Sequence, residues 1–171
     1  MKLIKTVMVG TIALALVPFG ASAANQGQGV VNFKGNVIDA PCGIAPESVD
    51  QSIDFGQISK SHLNADGISM KKDLNIKLVN CEPNKSAEVT FTGMTIAGVA
   101  TELGTAGDTG TAVVISGQDG KLVEFGTKGA AQTLKEGDNT LHYTSWVKKA
   151  TNGIVREGEF SAVANFNLTY N

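Results

Sequence analysis

The last fourteen residues, Gly158 to Asn171, place Phe160, Ala162, Ala164, Phe166, Leu168 and Tyr170 at every second position. A repeat of two sends alternate side chains to opposite faces, so this segment reads as a long strand with one apolar face. Chain ends fray unless something holds them. An end with this much aromatic and aliphatic surface on one face needs a sheltering neighbour. What the chain does depends on where that neighbour comes from.

The same alternation recurs upstream. Val31, Phe33, Gly35 and Val37 alternate with Asn32, Lys34, Asn36 and Ile38. This strand should end at Ala40-Pro41-Cys42, because proline has no N–H for a ladder. On its residues alone it is an ordinary first strand. Ser48 to Phe55 gives a short alternating piece closed by Gly56, and Ile58 to Ser69, polar and broken by Asp66-Gly67, reads as a loop. Lys71 to Cys81 alternates strongly through Leu74, Ile76 and Leu78. Cys81 has the opposite parity, so either a bulge intervenes or the cysteine lies just past the strand.

Ala87 to Gly93 carries Ala87, Val89 and Phe91 on one face. Gly98 to Gly110, rich in Gly, Thr and Ala, is expected to be a surface connection. Ala112 to Ser116 and Lys121 to Phe125 flank Gln118-Asp119-Gly120, a hairpin signal, and a polar link follows from Gly126 to Gly137. Thr140 to Lys148 sets Leu141, Tyr143 and Val147 against Trp146, and Ala150 to Gly158 is the last loop. No helical window has both length and caps. Six to eight short strands between turn residues indicate an all-β sandwich.

The first residues are not expected to join that fold. Lys2 and Lys5 precede an apolar run, Val7 to Phe19, and Ala21-Ser22-Ala23 has the small-x-small pattern of a secretory cleavage site. The run is short for a membrane anchor. Residues 1–23 therefore read as a signal peptide, and residues 24–171 as one exported domain. Losing Lys2 and Lys5 takes the formal charge from −2 to −4. Mild acidity without a basic stripe excludes nucleic acid and anionic membrane as obvious partners, and no later segment is apolar and long enough to span a bilayer. The two cysteines of an exported chain, Cys42 and Cys81, read as a disulfide. Closing the long loop between them stabilises by roughly 4 kcal/mol in the chain-entropy model.

Catalytic chemistry is not expected. His62 sits in a polar loop and His142 on the presumed outer face of a strand, too few and too scattered for a metal set. No Gly-x-Ser-x-Gly elbow is present. Asp54-Phe55-Gly56 copies a kinase tripeptide without a phosphate loop, and Gly104, Gly107 and Gly110 lack the lysine of one. Neither a cofactor nor a metal is expected. Trp146 is either covered by a loop or exposed at a subunit contact.

Several features occur together in one order: the signal peptide, the Val31-x-Phe33-x-Gly35 strand, the Cys42 to Cys81 spacing, Gly158 fourteenth from the end and Tyr170 second from the end. With Asn32-Phe33-Lys34-Gly35, then Val37-Ile38-x-Ala40-x-Cys42, and Val49-Asp50-Gln51, the chain resembles the pilin subunits of chaperone-usher fimbriae, in particular the type 1-like major fimbrial proteins. The resemblance covers essentially all of residues 24–171. It implies an incomplete immunoglobulin-like β-sandwich, residues 40–171, whose seventh strand is missing and is completed by a donor strand from another chain.

Residues 24–39 would be the N-terminal donor extension. Val31, Phe33 and Val37 would enter pockets of a neighbour, with Gly35 where a pocket is too tight for a side chain. Gly158, Phe160, Phe166, Leu168 and Tyr170 would form the acceptor groove and the chaperone and usher recognition edge. The implied partners are neighbouring pilin subunits, a periplasmic chaperone and an outer-membrane usher. The implied function is a structural subunit of a cell-surface fimbrium that polymerises head-to-tail and supports adhesion. The reading from another class is a self-contained secreted sandwich that binds a ligand such as a carbohydrate.

Overall fold

The computed structural model describes residues 29–171; the expected signal peptide and residues 24–28 of the expected extension lie outside the described residues. The chain divides into a unit ending at Val37 and a second unit, Ile38–Asn171. Within the first, residues 29–37 form neither helix nor strand. Val31, Phe33 and Val37 are 74%, 90% and 104% exposed. The alternation expected to make a strand here makes none in the single chain. Alternation assigns side chains to faces, but a strand also needs a neighbour for its backbone groups.

The second unit contains β1 (Gly43–Ile44), α1 (Pro46–Val49), α2 (Lys60–Asn64), β2 (Lys72–Cys81), β3 (Ser86–Gly93), β4 (Thr95–Ile96), β5 (Val99–Gly104), β6 (Thr111–Gly117), β7 (Gln132–Thr133), β8 (Gly137–Lys149) and β9 (Ala164–Tyr170). Two antiparallel sheets result, one ordered β1-β2-β8-β6-β5-β4 and the other β7-β3-β9. Ile76 and Leu78 of β2, Leu141, Tyr143 and Val147 of β8, and Val113 and Ile115 of β6 meet Ala87, Val89 and Phe91 of β3 in one core. Phe91 packs edge-on to Tyr143, with ring centroids 5.0 Å apart. This is two facing sheets, each contributing every second side chain.

The strictly alternating stretches become the long strands. The parity break at Cys81 is a bulge: the β2–β8 register shifts between Leu78 and Cys81, and Asn80 takes φ 52°. That places Cys81 in reach of Cys42, and the two are joined by a disulfide.

Several expectations fail locally. Of the long strand expected over Gly158–Asn171 only Ala164–Tyr170 forms, as β9, and the link Gly126–Gly137 carries the two-residue β7. Ser48–Phe55 is not a strand, because Pro46 starts the short α1 and buried Ser48 turns its Oγ to accept the Lys77 N–H at 2.9 Å. The expected loop Ile58–Ser69 contains α2, where Ser59 Oγ accepts the His62 N–H. Gly98–Gly110 is no mere surface link, since Val99–Gly104 pairs with β6 and buries Glu102 and Leu103. The turn at 118–120 forms, but Lys121–Phe125 meets β6 only through the Ser116–Leu122 bridge and adjoining bonds.

Candidate functional site

The two sides of the sandwich differ. One is closed by the segment 123–129, which bonds to both sheets. Val123 N–H donates to Ile115 O and Phe125 N–H to Ala100 O, both at 2.8 Å, while Gly126 N–H donates to Phe91 O at 2.7 Å and Gly129 N–H to Val89 O at 2.9 Å. On the other side β9 pairs with β3 along its whole length, from Ala164↔Gly93 to Tyr170↔Ala87. Among the described residues no strand lies on its second edge. A strand edge of seven residues is therefore left without a ladder partner.

That edge overlooks an apolar cleft of about 690 Å³. One wall is Phe160 to Phe166; the other is the stretch from Ile44 through α1 to Phe55; Leu74, Phe91, Leu103, Val113 and Ile115 lie between them. A second cleft, about 870 Å³, shares Ile53, Phe55 and Phe160 with the first and runs on to Leu63, Val155 and Gly158. Exposed Val49 and Val163 stand on the rim of the first cleft. An elongated apolar trough beside an open strand edge has the shape and chemistry to take an extended peptide.

The backbone before β9 is held against residues 106–110. Arg156 N–H donates to Thr109 O at 2.9 Å and Ala106 N–H to Ser161 O at 2.8 Å. The approach needs glycine: a Cβ on Gly107, at φ +97°, would stand 2.0 Å from Glu159 O. Gly158 itself takes φ +151°, a conformation side chains disfavour, and this lets the chain turn from that contact toward β9.

The structure brings Gly158, Phe160 and Phe166 into the cleft walls. Leu168 and Tyr170 are half-buried against the core and line neither cleft. Burial raises the Tyr170 phenol above its ordinary pKa. Val31, Phe33, Gly35 and Val37 belong to the other unit. Sequence reasoning missed the opposite wall and the residues between the walls, above all Ile44, Leu103, Val113 and Ile115. Ile53 and Phe55 had a signal, their alternation, although it was read as a paired strand.

The remaining singled-out side chains have local partners. His142 Nδ1 lies 2.8 Å from Asn75 Oδ1, and His62 Nε2 lies 3.0 Å from Ile68 O. Among the described residues no cluster of three or more His, Cys, Asp or Glu could hold a metal. Trp146 is half-buried, opposite Val114 in the ladder, with Lys71 Nζ 4.7 Å from its ring centre. No helix among the described residues is long and apolar enough to cross a membrane.

Comparison with known proteins gives the family and the fold. The family described as "Fimbrial protein" matches residues 31–171. The Pap fimbrial major pilin protein of Escherichia coli is 50% identical, over 98% of this chain and 100% of its own length. The crystal structure of the P pilus rod subunit PapA superposes with a TM-score of 0.74 at 50% identity, over 77% of this chain and 100% of that one. A subunit from a chaperone-usher pilus structure that addresses rod uncoiling gives 0.77 at 52% identity, over 85% and 97%.

Proposed function

The chain belongs to the fimbrial protein family, and from that membership we propose that the cleft beside β9 is an acceptor groove filled by a strand of another copy. The protein is a structural subunit of a surface pilus with an immunoglobulin-like fold, reached by export through the periplasm. The observation that carries the acceptor reading is the open edge of β9 over an apolar trough. The donor is the segment of residues 24–39. Its Val31, Phe33 and Val37 are exposed and spaced for one face of a strand. Burying each contributes on the order of 1.5–3 kcal/mol, and the backbone bonds to β9 add direction and register.

A subunit's own groove and its own extension are different surfaces, so pairing between copies is head-to-tail and does not close on itself. Such contacts propagate into a filament. Before assembly the same trough needs cover, and a periplasmic chaperone lends a strand to it. An outer-membrane usher then exchanges that strand for the next subunit's extension. Gly158, Phe160, Phe166, Leu168 and Tyr170 form the recognition edge in both steps. A self-contained carbohydrate-binding sandwich would supply its own strand beside β9; the open edge favours the pilus subunit.

Deleting residues 24–39 tests the assignment of donor and acceptor. The truncated chain should still be recovered with the chaperone, and electron microscopy and size exclusion should find no self-assembled filaments. Normal filaments from the truncated chain would refute it.

A further inference from the structure

The open edge has a physical end. Val155 N–H donates to Asn64 Oδ1 at 3.0 Å, and Asn64 Nδ2 donates to Val155 O at 3.2 Å. A carboxamide carries an N–H and a C=O side by side, as a peptide does. Asn64 thus supplies the two bonds that a residue on a neighbouring antiparallel strand would exchange with Val155. Arg156, one residue on, points its N–H the other way, to Thr109 O, so the bonds of Val155 face α2. Asn64 is well placed for this, because Leu63 beside it is buried and Ser59 caps the helix. Lys60 Nζ and Glu157 Oε1 meet at 2.6 Å between the same two segments, an exposed pair that adds little on its own.

We propose that Asn64 is the end stop of the acceptor edge: by occupying both backbone groups of Val155 it confines an incoming strand to Gly158–Tyr170 and so selects its register. The proposal rests on the acceptor reading above. Register needs such a device, because a donor that alternates over Val31, Phe33, Gly35 and Val37 keeps its apolar face after a slip of two residues. A strand that slid past Gly158 would have to displace a satisfied side chain from a buried residue, Val155. Asn64 is a positioning residue that the sequence offers no pattern to find. In the sequence it falls in the polar stretch Ile58–Ser69 that reads as a loop, 91 residues from its partner.

The test uses freshly refolded full chain and two synthetic peptides. One copies residues 24–39; the other adds about four alternating Val and Thr residues at each end, enough to reach past Gly158 in either orientation. In the wild type, both peptides should raise the melting temperature equally, and the Val155 amide should be equally protected from hydrogen exchange with and without peptide. In Asn64→Ala the unbound Val155 amide should exchange about tenfold faster, and the longer peptide should protect it and melt higher than the shorter one.

Equal responses of wild type and variant to peptide length would overturn the end stop. So would a wild-type Val155 amide that gains protection when peptide binds. If Asn64→Ala does not fold, Asn64→Asp, which accepts from Val155 N–H but cannot donate to its carbonyl, carries the comparison, and the wild-type exchange measurement decides on its own. Failure of both peptides to shift the wild-type melting temperature would instead refute the acceptor groove, and the end stop with it.

Discussion

Glu102 is a carboxylate at 3% exposure in a stretch that reads as a loop. Lys148 Nζ lies 2.5 Å from its Oε1, and Thr151 donates its N–H and its hydroxyl to the same carboxylate, both at 2.8 Å. Burial by itself pushes the Glu102 carboxyl up. The bonds from Lys148 and Thr151 oppose that, and the net direction is below the ordinary value of 4.5. A carboxyl with a depressed folded pKa stabilises above its unfolded pKa, and that contribution is lost as pH falls through the folded value. Glu102→Gln should therefore cost about 1–3 kcal/mol at neutral pH by leaving Lys148 without its counter-charge. It should also flatten the acid limb below about pH 4.5. Urea unfolding at pH 7 and at pH 3.5 measures both; a mutant that loses as much stability on acidification as the wild type would remove Glu102 from the acid response. The pair has a structural purpose as well. It joins β5 to β8 across β6, whose Ala112 and Val114 are buried without belonging to the main core.

At the scale of the element, the acceptor proposal makes β9 and residues 24–39 of another copy two halves of one sheet. β9 has one satisfied edge and a half-buried apolar face. The extension has an apolar face and, within residues 29–37, no ladder. Gly35 separates subunit effects from polymer effects. A Cβ at Gly35 would meet nothing within 4 Å, and its backbone is not in the left-handed region. Gly35→Leu should accordingly leave the chain's own unfolding transition unchanged and slow strand exchange between copies, because only in a neighbour's groove would the side chain lack room. An exchange rate equal to wild type, followed by appearance of denaturant-resistant oligomers on gels, would place Gly35 away from the tight pocket. The disulfide acts at the same scale. It ties the residues just before β1 to the end of β2, which anchors the wall of the cleft that has no ladder of its own beyond Ile44.

At the scale of the molecule, the unit Ile38–Asn171 is a sandwich closed on one side and, among the described residues, open on the other. Association that uses an open groove on one copy and an extension on another is not self-complementary, so it grows by addition. Filling the groove in the same chain should stop that growth. A second copy of residues 24–39, attached after Asn171 through a short flexible linker, would start at the end of β9 and fold back antiparallel along its open edge, as a hairpin does. This chain should run as a monomer on size exclusion, melt higher than the wild-type subunit and form no filaments. Continued polymerisation of a folded chain with the appended strand would show that growth does not depend on the groove.

Much of this was legible along the chain, for a local reason. Leu74-Ile76-Leu78, Ala87-Val89-Phe91, Leu141-Tyr143-Val147 and Phe166-Leu168-Tyr170 alternate because their strands have one wet and one dry face. A period of two survives in the sequence wherever that is so. The bulge before Cys81 left its mark as a parity break, and the pairing of two cysteines followed from export. Val99–Gly104 was hidden by composition, since small residues suit a tight strand as well as a loop. Ile53 and Phe55 kept the alternation of a strand without its ladder. By itself, then, the sequence determined which side chains face inward and that the C-terminal strand needs cover. Only the tertiary structure decided that segment 123–129 seals one side of the sandwich, that Ile44 to Phe55 forms the wall opposite β9, and that Asn64 caps Val155. Side-chain alternation is a property of neighbours in the chain, whereas the partner of a backbone edge is set by contacts far apart in sequence, which no local period records.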